Sequence, residues 1–361
     1  MFLKFSSLPG LIRDFSLVTL FVISGCMVTD SKKAATNGFL RTNLVSDTTG
    51  IPAKFQDANL VNAWGIAVGA SGTYWVSDNH SGKSTLYDPN GNTKGAPVSI
   101  PGAEDSVGAP TGVVYNATPD FPMPDGSGKA LFIFAGEDGS LSAWNAGTSA
   151  KIVSTPSDSN AVYKGLAMAA AGGKNFLYLA NFKDRRVEVF DAAFQRDTTK
   201  AFWDPTIPDD YGPFNIAVVG ANLFVSYAQL KPPDNEDDLG GPGHGFINEF
   251  KTDGTLVRRF VSGGNLDSPW GMVSIPGTFG PFKDGIFVGN FGDGLINVYD
   301  TQGNSLGQVQ DSGGHGIVIE GLWGLSYATT SNGYGASTSQ LYFAAGPDDE
   351  SHGAFGYLAP Q

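Results

Sequence analysis

Trp64-Gly-Ile-Ala-Val68, followed by Tyr74-Trp-Val-Ser77 and Leu86-Tyr-Asp88, is the stretch on which the fold turns. It reads as an inner strand opening on an aromatic residue and a glycine, a second alternating strand, and a third strand that ends in a turn signal. The opening phrase returns as Thr111-Gly-Val-Val-Tyr115, Lys164-Gly-Leu-Ala-Met168, Phe214-Asn-Ile-Ala-Val218, Trp270-Gly-Met-Val-Ser274 and Trp323-Gly-Leu-Ser-Tyr327. Counted between second residues, the spacings are 47, 53, 50, 56 and 53. Second and third strands follow each time, as in Phe176-Leu-Tyr-Leu-Ala180 and Val189-Phe-Asp191. A repeat of about 50 residues carrying four short strands is a propeller blade. The sequence therefore predicts an all-β, six-bladed β-propeller over residues 38–361. A pair of β-sandwiches does not explain six aligned copies, and a seventh blade would need a copy that is not there. The glycine at the second position lets inner strands converge on the axis; Asn215 is the exception. The sixth copy ends at Gln361 after three strands, so Phe39-Leu-Arg-Thr-Asn-Leu-Val45 is expected to supply its fourth and remove a free sheet edge.

Composition agrees. Hydrophobic residues make up 41% of the 361 and charged ones only 16%, with 49 Gly and 25 Phe, a balance that suits many tight turns between short strands. The formal charge of −13 argues against nucleic acid as a partner, since that binding rests on Lys and Arg neutralising phosphates. It also argues against adhesion of the folded domain to anionic lipid, and it is compatible with cations or basic partners.

The first 25 residues read as an export signal. Lys4 and Arg13 supply positive charge, and the short apolar run Phe15–Ile23 is too short to span a bilayer core of about 30 Å. Ile23-Ser24-Gly25-Cys26 then resembles the bacterial lipobox, in which the Cys is acylated and becomes the mature N-terminus. Cys26 is the single cysteine of the chain, so it forms no intrachain disulfide, and it stands where that motif needs it. Met27 in place of Asp favours the outer membrane by the same resemblance. Residues 26–37 are expected to be a short polar tether. The expectation is an exported outer-membrane lipoprotein, facing the periplasm or the cell surface and meeting the membrane only through its lipid.

Asn59-Leu-Val-Asn-Ala-Trp-Gly65, Phe134-Ala-Gly-Glu-Asp-Gly139, Tyr163-Lys-Gly-Leu-Ala167, Gly243-His-Gly-Phe246, Pro269-Trp-Gly271, Gly289-Asn-Phe-Gly-Asp-Gly294, Gly321-Leu-Trp-Gly324 and His352-Gly-Ala-Phe-Gly356 occur in order. Through them the chain, from about Asn43 onward, resembles a bacterial conserved-hypothetical family of exported β-propeller proteins. More distantly it is similar to NHL-repeat and gluconolactonase-like propellers. Many members of that family end in a sorting tail, whereas this chain carries a lipobox.

Loops between second and third strands share a propeller face with the loops that enter each blade. That places His80, His244, His352 and His315 at one end, with Glu137, Asp138, Asn181, Asp184, Arg185, Asn290, Asp293 and Glu320. A neutral His with carboxylates has the chemistry of a divalent-metal site or a general base. A residue repeated between blades reads as architecture, as the His-Gly pairs at His244 and His352 do. A residue found in one blade reads as function, which raises His80, Glu137, Lys183, His315 and Glu320 as catalytic candidates. The gluconolactonase-like resemblance implies carboxylate and Asn ligands to a divalent cation at the axial end of the channel, and Asn62, Asn215 and Glu320 are the nearest equivalents. The acidic insert Pro232–Asp238 lies on the same face but lacks the ordered spacing of a calcium loop. No phosphate-cradling loop, nucleophile elbow or Cys/His zinc spacing is found. Two functions follow: a binding module presenting one loop-rich face to a protein or glycan, or a metal-dependent hydrolase or lyase of a small ester or lactone. Trp64, Trp270 and Trp323 open inner strands, where they line the channel mouth or pack the core.

Overall fold

The computed structural model describes residues 38–155, 160–327 and 339–361. The export signal, Cys26 and the tether lie outside these residues. The described chain is all-β, with six sheets set as propeller blades. The inner strands are Ala63–Val68, Pro110–Tyr115, Tyr163–Ala171, Tyr211–Val219, Pro269–Phe279 and Leu322–Tyr327. Each pairs antiparallel with the strand that follows it.

The inner strands approach so closely that a side chain at the second position has no room. A Cβ on Gly112 would sit 2.5 Å from the Leu166 backbone nitrogen of the next blade. Asn215 holds this position in the fourth blade by turning its amide into backbone partners: Nδ2 donates to Trp270 O at 2.7 Å and Oδ1 accepts from Ile216 N at 2.8 Å. Its side chain in turn requires Gly165 opposite, whose Cβ would strike Asn215 Oδ1.

The last blade closes as the repeat implied. Phe39–Ser46 pairs antiparallel with Ala354–Pro360, from Phe39 opposite Pro360 to Ser46 opposite Ala354, with a register shift between Asn43 and Val45. Phe39 inserts against Phe279 and Phe282 of the fifth blade, ring centroids 5.2 and 6.1 Å away. His352, at the end of the sixth blade, bonds Asp47 just past the closing strand at 2.8 Å. Apolar faces of neighbouring blades form the core; Tyr178, Val189, Ile216, Val225 and Phe250, for example, bury one another between the third and fourth blades.

Two blades depart from the expected four strands: the sixth gains a fifth, Phe55–Gln56, parallel to Phe39–Ser46, and the third loses one. The third has Tyr163–Ala171, Lys174–Asn181 and Arg186–Phe190 only. A turn closed by Asp191 N to Gln195 O diverts the chain, and one bond from Asp197 N to Val189 O continues the ladder. Pro205 and Pro208, which lack amide donors, follow in the segment that replaces the fourth strand. That segment packs Phe202 and Ile207 against the interface with the fourth blade instead.

Candidate functional site

An aromatic layer crosses the channel. Trp64 and Trp323 stack with centroids 3.5 Å apart, Phe291 stacks on the other side of Trp323 at 3.9 Å, and Trp270 stands edge-on to both tryptophans. All three tryptophans are buried. The three belong to the first, fifth and sixth blades, so the repeat that starts inner strands with Trp also builds the layer. All three serve as core, and Trp64 and Trp323 also line one cavity while Trp270 lines another.

Two cavities share no lining residue. The lower, about 320 Å³, is walled by inner strands and includes Trp270 and Asn215. The upper, about 690 Å³, opens at the end where loops enter the inner strands, with Trp64, Trp323 and Phe291 among its lining. Around it stand six carboxyls, from Glu137, Asp237, Asp238, Glu320, Asp349 and Glu350, against Lys164, Lys231 and His80.

Lys164 is the centre of this cavity. It extends from an inner strand with only 4% of its side chain exposed, forms an ion pair with Glu137 Oε1, lies 3.5 Å from Asp237 Oδ1, and sits 5.2 Å over the Trp64 ring. Burial on its own would lower its pKa, but the Glu137 charge and hydrogen bond outweigh burial and raise it. Burial likewise pushes the Glu137 carboxyl up, and Lys164 with the Asn79 amide, 2.9 Å away, holds it below its ordinary value. Trp270 Nε1 donates to Lys164 O at 2.9 Å and fixes the backbone beneath the pair.

Glu350 approaches from the last blade on an unusual turn. Asp348, Asp349 and Glu350 all have φ between 51° and 64°, three consecutive left-handed non-glycine residues. Such backbone costs energy and is retained where the surroundings over-determine it. Asn62 Nδ2 donates to Glu350 Oε2 at 2.5 Å, and Asn62 Oδ1 accepts from Trp323 Nε1 at 3.2 Å. Burial is the main reason that the Glu350 carboxyl is pushed up to about 7; Glu137 and Asp237 add to this, and Asn62 and Lys164 oppose it. Burial also raises Asp238. The cavity thus crowds carboxyls whose only buried cation is already committed to Glu137.

The sequence candidates divide. His80, Glu137 and Glu320 line the upper cavity, Glu320 at its rim accepting from Asp348 N at 3.1 Å. Lys183 pairs with Glu236 at 2.6 Å and is not part of the lining. His315 is 82% exposed and lies 3.5 Å from Asp311. His244 and His352 hold loop partners, Leu239 O and Asp47. The three proposed metal ligands are not brought together. Asn62 is bonded beneath Glu350 and Glu320 is at the upper rim, while Asn215 lines the lower cavity with its amide bonded to backbone. These three do not fit one divalent ion, and among the described residues no group of three or more His, Cys, Asp or Glu is placed to hold one. Sequence reasoning missed Lys164, Asp349 and Glu350, and saw Asp237 and Asp238 only as part of an acidic insert without the spacing of a calcium loop.

No protein-family model matches the chain. Two proteins of Acanthamoeba polyphaga mimivirus match most of it: uncharacterized protein L690, 34% identical over 88% of this chain and 85% of its own length, and uncharacterized protein R648, 31% identical over 87% and 78%. The chain belongs to the same family as L690 and R648. Among solved structures, a streptogramin B lyase superposes with a TM-score of 0.52 at 13% identity, covering 91% of this chain and 100% of that one. Regucalcin, a calcium-binding protein from Agrobacterium tumefaciens, gives 0.54 at 13% identity over 83% and 91%. At such identities the likeness is one of fold alone, and the fold is the propeller that the repeat implied. The matching family members are viral, so the bacterial origin and the lipid anchor pass to the proposal below.

Proposed function

We propose that this protein is an exported binding propeller whose upper cavity receives a positively charged group, carried by a small ligand or by a glycan or protein partner. The observation that carries this reading is the imbalance around a dead-end cavity: six carboxyls face two lysines, and the buried lysine is already paired with Glu137. Stacking of a ligand on the aromatic floor fits less well, because Trp323 has a ring on each side and Trp64 lies between Trp323 and Lys164. A cation relieves the repulsion among Glu350, Asp237 and Asp238 without displacing the Lys164–Glu137 pair.

Calorimetric titration with diaminobutane, using butanediol as the neutral match, tests this. Binding of the diamine alone is expected. It should weaken several-fold between about pH 8 and about pH 6, because Glu350 takes up a proton through about 7 and one attracting charge is lost. Equal binding of diamine and diol would refute the reading. The hydrolase or lyase alternative draws support from Glu350, whose titration near neutrality suits a general acid. It would run without the proposed metal set, and turnover of lactones insensitive to chelator but abolished in Glu350→Gln would favour it.

The export signal and acylation of Cys26 belong to the same proposal, supported by Ile23-Ser-Gly-Cys26. Expressed in a Gram-negative host, the chain is expected in the outer-membrane fraction and Cys26→Ala in the soluble periplasm. A Cys26→Ala protein that stays with the membrane would remove the anchor.

A further inference from the structure

The segment that replaces the fourth strand of the third blade carries Trp203, which is 69% exposed and is the one aromatic side chain classed as exposed among the described residues. Its backbone is held on both sides. Phe202 packs its ring against Tyr178 and Phe250, centroids 5.7 and 5.2 Å away. The buried Asp204 carboxylate accepts from Thr206 N at 2.8 Å, from Asn248 Nδ2 at 3.0 Å and from Arg259 at 2.6 Å. An indole set in water on an anchored backbone loses little freedom when a ligand covers it.

Beside Trp203 opens a pocket of about 240 Å³ that shares no lining residue with the upper cavity. Asp184, Arg185 and Asp209 bring charge of both signs to its wall. The turn that carries Arg185 has a counterpart in the fifth blade. There Asn290-Phe-Gly-Asp-Gly294 ends on a glycine at φ 70°, whereas Asn181-Phe-Lys-Asp-Arg185 ends on an arginine at φ 56°. That left-handed backbone favours glycine, so the third blade holds a guanidinium against its local preference. Arg185 Nη1 donates to Asp209 O at 2.5 Å. Its other guanidinium N–H groups and the Asp209 carboxylate, both on exposed residues, have no partner among the described residues. A cation here meets Arg185, and an anion meets Asp184 and Asp209. A purely apolar group strips water from these charges and replaces none of it. A neutral ring with a C–H face and a rim of hydroxyls suits every wall: the face lies on the indole, hydroxyl oxygens accept from the guanidinium, and hydroxyl protons go to Asp209. We propose that this pocket binds a pyranose ring of a neutral glycan. The site is separate from the upper cavity, and the proposal does not rest on the cation-binding reading.

Saturation-transfer NMR on the unmodified protein tests this. The probes are the methyl glycosides of glucose, galactose, mannose and N-acetylglucosamine, with cyclohexanol as a ring that lacks the hydroxyl rim. At least one glycoside is expected to bind in the millimolar range and ahead of cyclohexanol, with saturation strongest on the C–H groups of one ring face. Trp203→Ala removes an exposed side chain and should weaken that glycoside by about tenfold. Arg185→Gly should weaken it by a similar factor without lowering the urea midpoint, because glycine suits the left-handed backbone. Excess diaminobutane, the probe of the upper cavity, should not displace the sugar. The proposal falls if all the glycosides are silent, if cyclohexanol matches the best of them, if either variant binds as the parent does, or if diaminobutane competes. The comparison with cyclohexanol needs no variant, so a misfolded variant does not protect the proposal.

Discussion

A chain that begins at Asp47 is expected to lose cooperative unfolding, while one that begins at Gly38 keeps it. The strand Phe39–Ser46 supplies the outer neighbour of Ala354–Pro360 along their full length. Without it, that strand presents an unpaired edge, which invites association with other chains. Phe39, Leu44 and Val45 are all at most 3% exposed, and burying each such side chain is worth about 1.5–3 kcal/mol. Their sum approaches the whole stability of an ordinary domain, about 5–15 kcal/mol. Urea unfolding followed by tryptophan fluorescence checks this directly, since Trp64, Trp270 and Trp323 report from the centre of the ring. The truncated chain should give a broad, early transition and aggregate. A permuted chain that runs from Asp47 to Gln361 and then, after a two-residue turn, through residues 38–46 should recover the sharp one, because Gln361 N already bonds Gly38 O at 2.9 Å. Equal midpoints for the two truncations would mean that the ring does not depend on its closure.

That closure was legible because a propeller states its architecture six times. Inner strands share a glycine for one reason, the crowding that puts Leu166 N within 2.5 Å of a Cβ on Gly112, and the same cause leaves the same mark in each copy. The third blade shows the limit: its missing strand lies in a segment whose prolines were visible but whose length matched the other copies. The site was half legible. Preferring residues found in a single blade selected Glu137, Glu320 and His80, which line the cavity, but also Lys183 and His315, which lie on loops away from it. A loop's place in the repeat fixes the end of the propeller it occupies and says nothing of its distance from the axis. Lys164 carried a signal that was not used, a lysine where the other inner strands open on Trp, Thr or Phe. Glu350 had no such mark, because its position depends on three successive left-handed residues that composition does not announce. Asn215 was misplaced for a related reason: standing in the glycine position, it is drawn to backbone partners beneath the aromatic layer, far from the rim carboxylate Glu320.

Lys164→Met should be the most costly single substitution in the cavity, at about 3 kcal/mol by chemical denaturation. Removing one member of a buried pair leaves the other uncompensated, which costs about 3–5 kcal/mol; the lower end applies because Glu137 keeps 28% of its side chain in water. Methionine replaces most of the volume, so the loss reports charge rather than a void. The sign of the pH dependence identifies the cause. In the parent, Glu137 is held below its ordinary value, so its contribution is present above the unfolded carboxylate range and is lost as pH falls through the lowered folded value. Lys164 is raised, so its contribution is complete below the unfolded lysine value and is lost only as pH rises through a still higher one. The pair therefore stabilises the fold across the neutral range. In Lys164→Met burial acts on Glu137 without its counter-charge and its pKa rises, so the variant should lose stability as pH increases across that range. Adding Glu137→Gln removes the buried charge and should restore most of the loss and flatten the profile. A double variant no better than the single would show that Lys164 acts through its packing on Trp64 rather than through its charge, and the carboxyl crowding that favours a cationic ligand would then have to stand without it.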